Sequence, residues 1–556
     1  MERAPPERIT PKDTKIAYFS MEIGISSKIR TYSGGLGVLA GDTIKSAADL
    51  GVPMVAVSLL YRKGYFMQSL DDDGNQSESD TSWDPAEFMQ PLEGTIKVNV
   101  AKRTVHIKAW QYDVIGCFGN IVPILFLDSD LEQNSPEDRN LTAHLYGGDH
   151  EYRLSQEVIL GIGGLRMLQY HGYKNIGKYH LNEGHAAMLT IELLKKCKNL
   201  DCVREQCVFT THTPVPAGHD QFDLELVRKV KPDFPFDNPN AGLHEGKLNM
   251  TLLALNHSRY VNGVAKRHGE VSRKMFPSYP VDSITNGVHP VTWTSQNMKD
   301  LLDTNCPTWR SDSFMIRNIF RAEYSDILHA HKASKKALID YINTLSSRTA
   351  DFDEHTFTIV FARRATAYKR ADLLLFDTER LNNIGDKVGG IQIIYAGKAH
   401  PKDDSGKDLI RSIYRKKKSL RGRVRLAYCP NYDMDIGMML VSGSDLWLNT
   451  PQPPNEASGT SGMKAALNGV PSLSVPDGWW IEGSIEGKTG WDIGNGSESY
   501  EESAQIIYDK LEHNIMPLYY FDKNGWARVM RACIGINGSF FHTHRMLLEY
   551  INNAYL

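Results

Sequence analysis

Short runs rich in β-branched and apolar residues alternate with helical stretches over most of this chain. The runs include residues 16–20, 55–60, 207–210, 356–361 and 391–396. Helical periodicity fills stretches such as 42–50, 184–196 and 333–345. Strand, turn and helix in repeated alternation predict parallel sheets with helices on both faces, an α/β doubly wound fold. There is no short internal repeat and no low-complexity tract.

One boundary stands out. The helical pattern of residues 319–345 gives way to a polar segment, 346–355, and the run 356–361 then opens a second α/β series. This predicts a first domain over residues 1–350 and a second over 351–530. Open α/β sheets offer a crevice at the carboxyl ends of their strands, so the site is expected between the domains. Periodicity alone leaves open whether the two crevices face each other.

Composition narrows the function classes. The chain has 556 residues, 41% apolar and 23% charged, with a formal charge of −3. That balance gives no general electrostatic reason to bind nucleic acid or an acidic membrane. No segment approaches the roughly 20 apolar residues of a membrane span. Residues 1–11 are polar and proline-rich, so no secretory signal is expected. The seven cysteines, Cys117, Cys197, Cys202, Cys207, Cys306, Cys429 and Cys533, contain no CxxC pair. They read as reduced thiols of a cytoplasmic protein. Two glycosylation patterns, at Asn140 and Asn249, are expected to be silent without export.

The most informative segment is Asn455-Glu-Ala-Ser-Gly-Thr-Ser-Gly-Met-Lys-Ala-Ala-Leu-Asn-Gly469. Ser458, Thr460 and Ser461 can cap a helix that Asn468-Gly469 would stop. Small residues before the helix let an anion approach bare backbone N–H groups, and a helix start favours phosphate. Lys464 follows Thr460 by one helical turn, about 5.4 Å of rise. A cofactor with an aldehyde at one end and a phosphate at the other could bridge the two, and pyridoxal phosphate has that shape. A capped surface helix with a solvated lysine would show the same pattern.

Residues Glu456-Ala-Ser-Gly-Thr460 with Met463-Lys464 closely resemble the cofactor-lysine motif of the α-glucan phosphorylases of glycogen, starch and maltodextrin. The resemblance implies pyridoxal 5′-phosphate carried covalently on Lys464, with Thr460 and neighbouring amides at its phosphate. It also implies Tyr432 beside the cofactor, and Glu456, Ser458 and Gly459 at the glucosyl hydroxyls. Where the family has Gly-Asn between Thr and Met, this chain has Ser461-Gly462, still small.

A second match explains the basic cluster Arg363-Arg364 and Tyr368-Lys369-Arg370, which follows the run 356–361. Charges after a strand are usually a solvated loop. A phosphorolytic site, however, must hold two phosphates close together, and the fork of arginine grips two phosphate oxygens. The family reads Lys-Arg, a spacer, then Tyr-Lys-Arg. By resemblance Arg364 and Lys369 bind the substrate phosphate, and Arg363, in place of the usual lysine, sits at the cofactor phosphate. Ser33-Gly-Gly-Leu-Gly37 is similar to the family's glycine-rich loop, which puts the Gly35 amide at the substrate phosphate and Leu36 by the sugar. A glycine-rich turn also lets backbone approach an anion on general grounds.

Three further segments agree in order. Tyr179-His-Leu-Asn-Glu-Gly-His185 resembles the family's Leu-Asn-Asp-x-His, with Glu183 for Asp. Phe209-Thr-Thr-His-Thr213 implies that His212 contacts the glucosyl ring. Ile284-Thr-Asn-Gly287 implies Asn286 at the sugar 6-hydroxyl. His180, Glu183 and His185 miss both the H-E-x-x-H and H-x-x-E-H zinc patterns, so no metal is expected. The run Asp71-Asp-Asp-Gly-Asn75 fails the calcium-loop spacing and reads as a turn.

The resemblance implies two facing Rossmann-like domains in the GT-B arrangement, with residues 531–556 a C-terminal helix packing back on the first. The implied reaction is phosphorolysis of a terminal α-1,4 bond, giving glucose 1-phosphate with retention. In it the cofactor's 5′-phosphate exchanges a proton with inorganic phosphate, which protonates the leaving oxygen and captures the oxocarbenium-like glucosyl. The partners are then an α-1,4-glucan with phosphate or glucose 1-phosphate, and a homodimer fits the family. One alternative is a nucleotide-sugar synthase of the same architecture, which typically has a second Glu where this chain has Lys464. Another is an inactive glycan-binding or regulatory protein. Little precedes Ile16, so activity independent of AMP and of serine phosphorylation is expected.

Overall fold

The computed structural model describes residues 9–197, 199–345 and 351–556. Its packing divides the chain into two units. The first takes the chain up to Phe66, Asp80–Thr285 and Thr543–Leu556, and the second takes Met67–Ser79 and Asn286–His542.

In the first unit the principal strands are β1 (Ile16–Ser20), β2 (Met54–Leu59), β3 (Arg103–Ile115), β4 (Ile121–Asp128), β5 (Lys178–Asn182), β6 (Cys207–Thr210), β7 (Tyr260–Gly263) and β8 (Asp282–Ser283). They lie in the order β8-β7-β6-β5-β1-β2-β4-β3. All neighbours are parallel except β3 on β4. Strands β1 and β2 are buried at every position, which is why they read as unbroken apolar runs rather than alternating ones. From β1 the chain winds out through β2 to β4, then returns to β5 on the other side. The switch point lies between β1 and β5, where a doubly wound sheet opens a crevice at its carboxyl ends.

The last segment of the chain belongs to this unit. Met546, Leu547 and Tyr550 join a core with Leu39, Ile44 and Ala47 of the helix Gly35–Asp49. The Tyr550 hydroxyl meets Asn262 Nδ2 at 2.9 Å and Thr210 Oγ1 at 3.0 Å, so a buried polar tip is satisfied.

In the second unit six strands are all parallel: β9 (Phe357–Ala362), β10 (Ile391–Ala396), β11 (Val424–Cys429), β12 (Leu446–Asn449), β13 (Ser472–Ser474) and β14 (Gly490–Asp492). Their order is β11-β10-β9-β12-β13-β14, which puts the switch point between β9 and β12. A hairpin, Met67–Leu70 with Gln76–Ser79, also packs here. Gln76 Nε2 donates to Ala399 O at 2.9 Å while its Oε1 accepts from Ala399 N at 3.0 Å. Residues 71–75 are the turn of that hairpin, with Asp71 Oδ1 accepting from Asn75 N at 2.8 Å.

The packing units do not divide at the expected position. Residues 346–350, on which that boundary falls, lie outside the described residues, and the units part at Thr285 and Asn286 instead. The reason is the helix Tyr324–Leu345, expected to close the first domain. It is locked to the second sheet by a buried charge network. Asp445, just before β12, accepts from Lys335 Nζ, from Thr358 N at 2.8 Å, and pairs with His331 Nε2 at 3.0 Å. Lys335 Nζ also donates to Thr356 O at 2.7 Å and Tyr519 Oη at 2.9 Å. At the far end the second unit extends to His542, beyond the expected limit of 530, and the final segment starts at Thr543.

Removing one partner of a fully buried pair strands the other charge. Lys335→Ala should therefore destabilise the second unit by about 3–5 kcal/mol. Urea unfolding followed by tryptophan fluorescence will read the shift, and an unmoved midpoint would show that Asp445 finds another counter-ion.

Candidate active site

Strand β9 ends at Ala362, Arg363 and Arg364 follow directly, and the loop continues to Lys369 and Arg370. Its path is set by close backbone contact with the end of β10. Arg363 N donates to Ala396 O at 3.0 Å and Ala365 N to Lys398 O at 3.1 Å. Gly397 has φ +145°, and a Cβ there would stand 1.9 Å from Arg363 O, so only glycine allows the approach. A buried arginine ties the loop to the one after β12. Arg370 donates through Nε to Thr450 O and through Nη2 to Pro451 O, both at 2.9 Å. Thr450 Oγ1 in turn donates to Lys369 O at 2.8 Å.

The two loops bring three charges together. The Glu456 carboxylate lies 2.7 Å from Arg363 Nη2 and accepts from Lys369 Nζ through the same oxygen. All three side chains are at most 10% exposed. Burial pushes the Glu456 carboxyl up, but Arg363 and Lys369 outweigh it and hold the group at about 2. Burial and repulsion from Arg363 bring Lys369 down to about 7 against the pull of Glu456. The cluster carries more positive than negative charge in a poorly solvated place, which favours an added anion. Arg364 stands exposed at its edge and bonds Tyr368.

The helix Ser461–Leu467 starts at Thr460 and carries Lys464. Lys464 Nζ lies 3.7 Å from the centroid of the Trp293 ring, and the residue is buried. Asn468 Nδ2 fixes this pairing, donating to Trp293 O at 2.7 Å and Lys464 O at 2.9 Å. Before the helix, Gly459 takes φ +81°, and the Ser458 hydroxyl is buried without a hydrogen-bond partner among the described residues. Asp477 accepts from Glu456 N at 2.9 Å, and burial pushes its carboxyl up to about 6. Tyr432 follows β11, its hydroxyl only 2.8 Å from where a Cβ on Gly437 would stand. Burial pushes that phenol up to about 12. Asn286 is buried at the start of this unit's long segment.

In the first unit a second carboxylate organises the glycine-rich turn after β1. Glu22 Oε2 accepts from Ser33 N at 2.6 Å and Gly34 N at 3.1 Å, and Oε1 accepts from Tyr146 Oη at 2.9 Å. Gly35 opens the helix Gly35–Asp49 and is exposed, and a Cβ on it would meet nothing within 4 Å. Leu36 follows it on the same turn. At the carboxyl ends of β5 and β6, His212 Nε2 lies 2.6 Å from Asn182 Oδ1, and His212 N donates to Glu183 Oε2 at 2.7 Å. Burial, then neighbouring His268, His180 and His185, bring the imidazole down to about 3, so it is neutral near pH 7.

The structure thus brings Arg363, Lys369 and Glu456 into one contact set and puts Lys464 on a tryptophan in the same unit. Gly35, Leu36 and His212 lie in the other unit. Sequence reasoning missed Glu22, Trp293, Thr450 and Asp477. Glu22 had a signal: a lone carboxylate in the apolar stretch 16–25, just before the glycines.

Comparison with known proteins settles the family. The carbohydrate phosphorylase model matches residues 241–504. Maltodextrin phosphorylase of Thermococcus litoralis is 39% identical over 97% of this chain and 70% of its own length. The chain belongs to the carbohydrate phosphorylase family. Glycogen phosphorylase of Mycobacterium tuberculosis is 37% identical over 98% of the chain and 71% of its own length. That of Aquifex aeolicus is 33% identical over 97% and 86%. GT-B is the fold of the carbohydrate phosphorylases and pyridoxal phosphate is their general cofactor. The residues here fit that group. They supply a buried amine on an apolar ring, a glycine at positive φ before a helix, an unsatisfied Ser458 hydroxyl and a surplus of buried cations.

Glu456→Ala should leave Arg363 and Lys369 facing each other without a counter-ion, a loss of about 3–5 kcal/mol in the protein without phosphate. Inorganic phosphate should restore part of it in a concentration-dependent way. Thermal unfolding of the variant across a phosphate series tests this, and a midpoint indifferent to phosphate would contradict an anion site at the cluster.

Proposed function

We propose that this carbohydrate phosphorylase cleaves the terminal α-1,4 bond of a glucan such as maltodextrin or glycogen with inorganic phosphate, releasing α-D-glucose 1-phosphate with retention. The observation that carries the reading is the buried cation surplus of Arg363 and Lys369 around Glu456, in the unit that also buries Lys464. In the reaction the C1–O bond breaks, its oxygen takes a proton from the phosphate, and a phosphate oxygen bonds to C1.

In this reading Lys464 holds pyridoxal phosphate covalently, and Thr460, Arg363 and Tyr432 surround it. The cofactor, when bound, supplies a phosphate group that serves as a proton reservoir. Lys369, brought down to about 7 by burial and by Arg363, gains a reason to be protonated when a phosphate anion arrives, and so holds the substrate phosphate as a cation. Arg364 completes the grip. Preformed donors of this kind stabilise charge without reorganising during the reaction. His212 is neutral and therefore bonds a sugar hydroxyl without adding charge, while Asn286, Leu36, Ser458, Gly459 and Glu456 shape the glucosyl site. Glu456 has two tasks, as counter-ion to the cations and as acceptor for a sugar hydroxyl.

No helix among the described residues is long and apolar enough to cross a membrane. The same reading expects a homodimer in the cytoplasm, checked by sedimentation and fractionation. The direct assay is phosphate-dependent release of glucose 1-phosphate from maltodextrin or glycogen. Incorporation that needs a nucleotide sugar instead would overturn the reading.

Two variants test the assigned roles. Lys464→Ala should purify without the pyridoxal absorption band and without activity, and borohydride reduction of the parent should fix the cofactor to the peptide bearing Lys464. A label on another lysine would refute the tether. Arg364→Ala should lower kcat/KM for phosphate by about 30- to 1000-fold, as removal of a charge-stabilising group does. Unchanged handling of phosphate would make Arg364 a solvated rim residue.

A further inference from the structure

Seven cysteines are free, and two of them converge. Cys197 is the last residue of the helix Met188–Cys197, and Cys202 lies in the next helix, Leu200–Gln206. The Gln206 Nε2 amide donates to both sulfurs, at 3.2 Å to Cys197 Sγ and 3.3 Å to Cys202 Sγ. Both residues are half-buried, so small oxidants reach them, whereas Cys207, Cys306, Cys429 and Cys533 are buried.

We propose that Cys197 and Cys202 form a reversible disulfide when the protein meets a peroxide-class oxidant. A disulfide needs the sulfurs at about 2.05 Å, and two acceptors of one amide nitrogen, at 3.2 Å and 3.3 Å, can stand no farther apart than those two distances end to end. The step is balanced. The Cys202 thiolate attacks the peroxide O–O bond, giving a sulfenic acid and releasing water after protonation. The Cys197 sulfur then attacks the Cys202 sulfur, expelling a second water, so two thiols are oxidised by two electrons and one peroxide gives two waters. The order follows from the environment: burial and the contact with Cys202 raise the Cys197 thiol, which makes it the resolving partner. The bond would staple the end of one helix to the start of the next, which runs directly into β6 and on to His212.

The sequence provides a direct readout. Lys198 separates the two cysteines, so trypsin places them on different peptides and a disulfide appears as a cross-linked pair. The reduced full-length protein is treated with a small excess of hydrogen peroxide, quenched with N-ethylmaleimide, denatured and counted. The expected result is a loss of two of the seven thiols, a peptide linking Cys197 to Cys202, and recovery of both thiols with dithiothreitol. Cys197→Ser and Cys202→Ser should each abolish the linked peptide, and Cys117→Ser should leave it intact. Seven thiols after treatment, over-oxidation at one sulfur without the cross-link, or disulfides joining other cysteines would overturn the proposal.

Discussion

Glu456 is a buried negative charge between two cations, and the order of the second unit's charged cluster depends on it. At an effective dielectric of about 20, each contact near 3 Å gains roughly 5 kcal/mol of attraction, and desolvation of the three groups takes much of that back. What remains is geometry. Arg363 leaves β9 and Lys369 ends the loop beyond it, and without a shared partner their repulsion would drive the loop open. With Glu456 between them the cations stay close and still sum to a positive charge. Burial, with Arg363 beside it, brings the Lys369 amine down to about 7.

The backbone around that contact is arranged to bear it. Gly397 lets Arg363 run against β10, and Arg370, itself at φ +47°, spends its guanidinium on two carbonyls of the opposite loop. Asp477 fixes the Glu456 amide from a third segment. Each device acts on backbone, yet each helps to hold a charged tip within the tolerance that electrostatic stabilisation demands. Of the two neighbouring cations in Tyr368-Lys369-Arg370, one therefore faces the cluster and the other is structural.

Much of this was legible in the sequence, and the limits have physical causes. The parallel strands announce themselves because burial on both faces leaves no polar alternation, and the runs named from the sequence fall within a residue of β1, β2, β6, β9 and β10. The charged and glycine-rich segments follow strand ends because that is where a doubly wound sheet opens. The packing of the helix before the polar segment was not legible. A helix such as Tyr324–Leu345 shows an apolar stripe but not the surface that covers it, and its choice of sheet is made by Lys335 and His331 meeting Asp445 more than a hundred residues away. Trp293 and Asp477 were invisible for the same reason. An aromatic or an acid near a turn acquires its meaning only from the partner that folding brings to it.

The two units arrive separately at one device. In the second, Glu456 holds cations; in the first, Glu22 holds the amides of Ser33 and Gly34. Both carboxylates lie beyond the carboxyl end of a strand that borders its sheet's switch point, and neither could serve as a phosphate ligand. Their common effect is to hold donors in place: the amides of Ser33 and Gly34 in one unit, Arg363 and Lys369 in the other. An anion site built from donors alone would be disordered by their mutual repulsion until the ligand came. A buried acid supplies order in advance, and the ligand then meets donors that no longer need to be gathered.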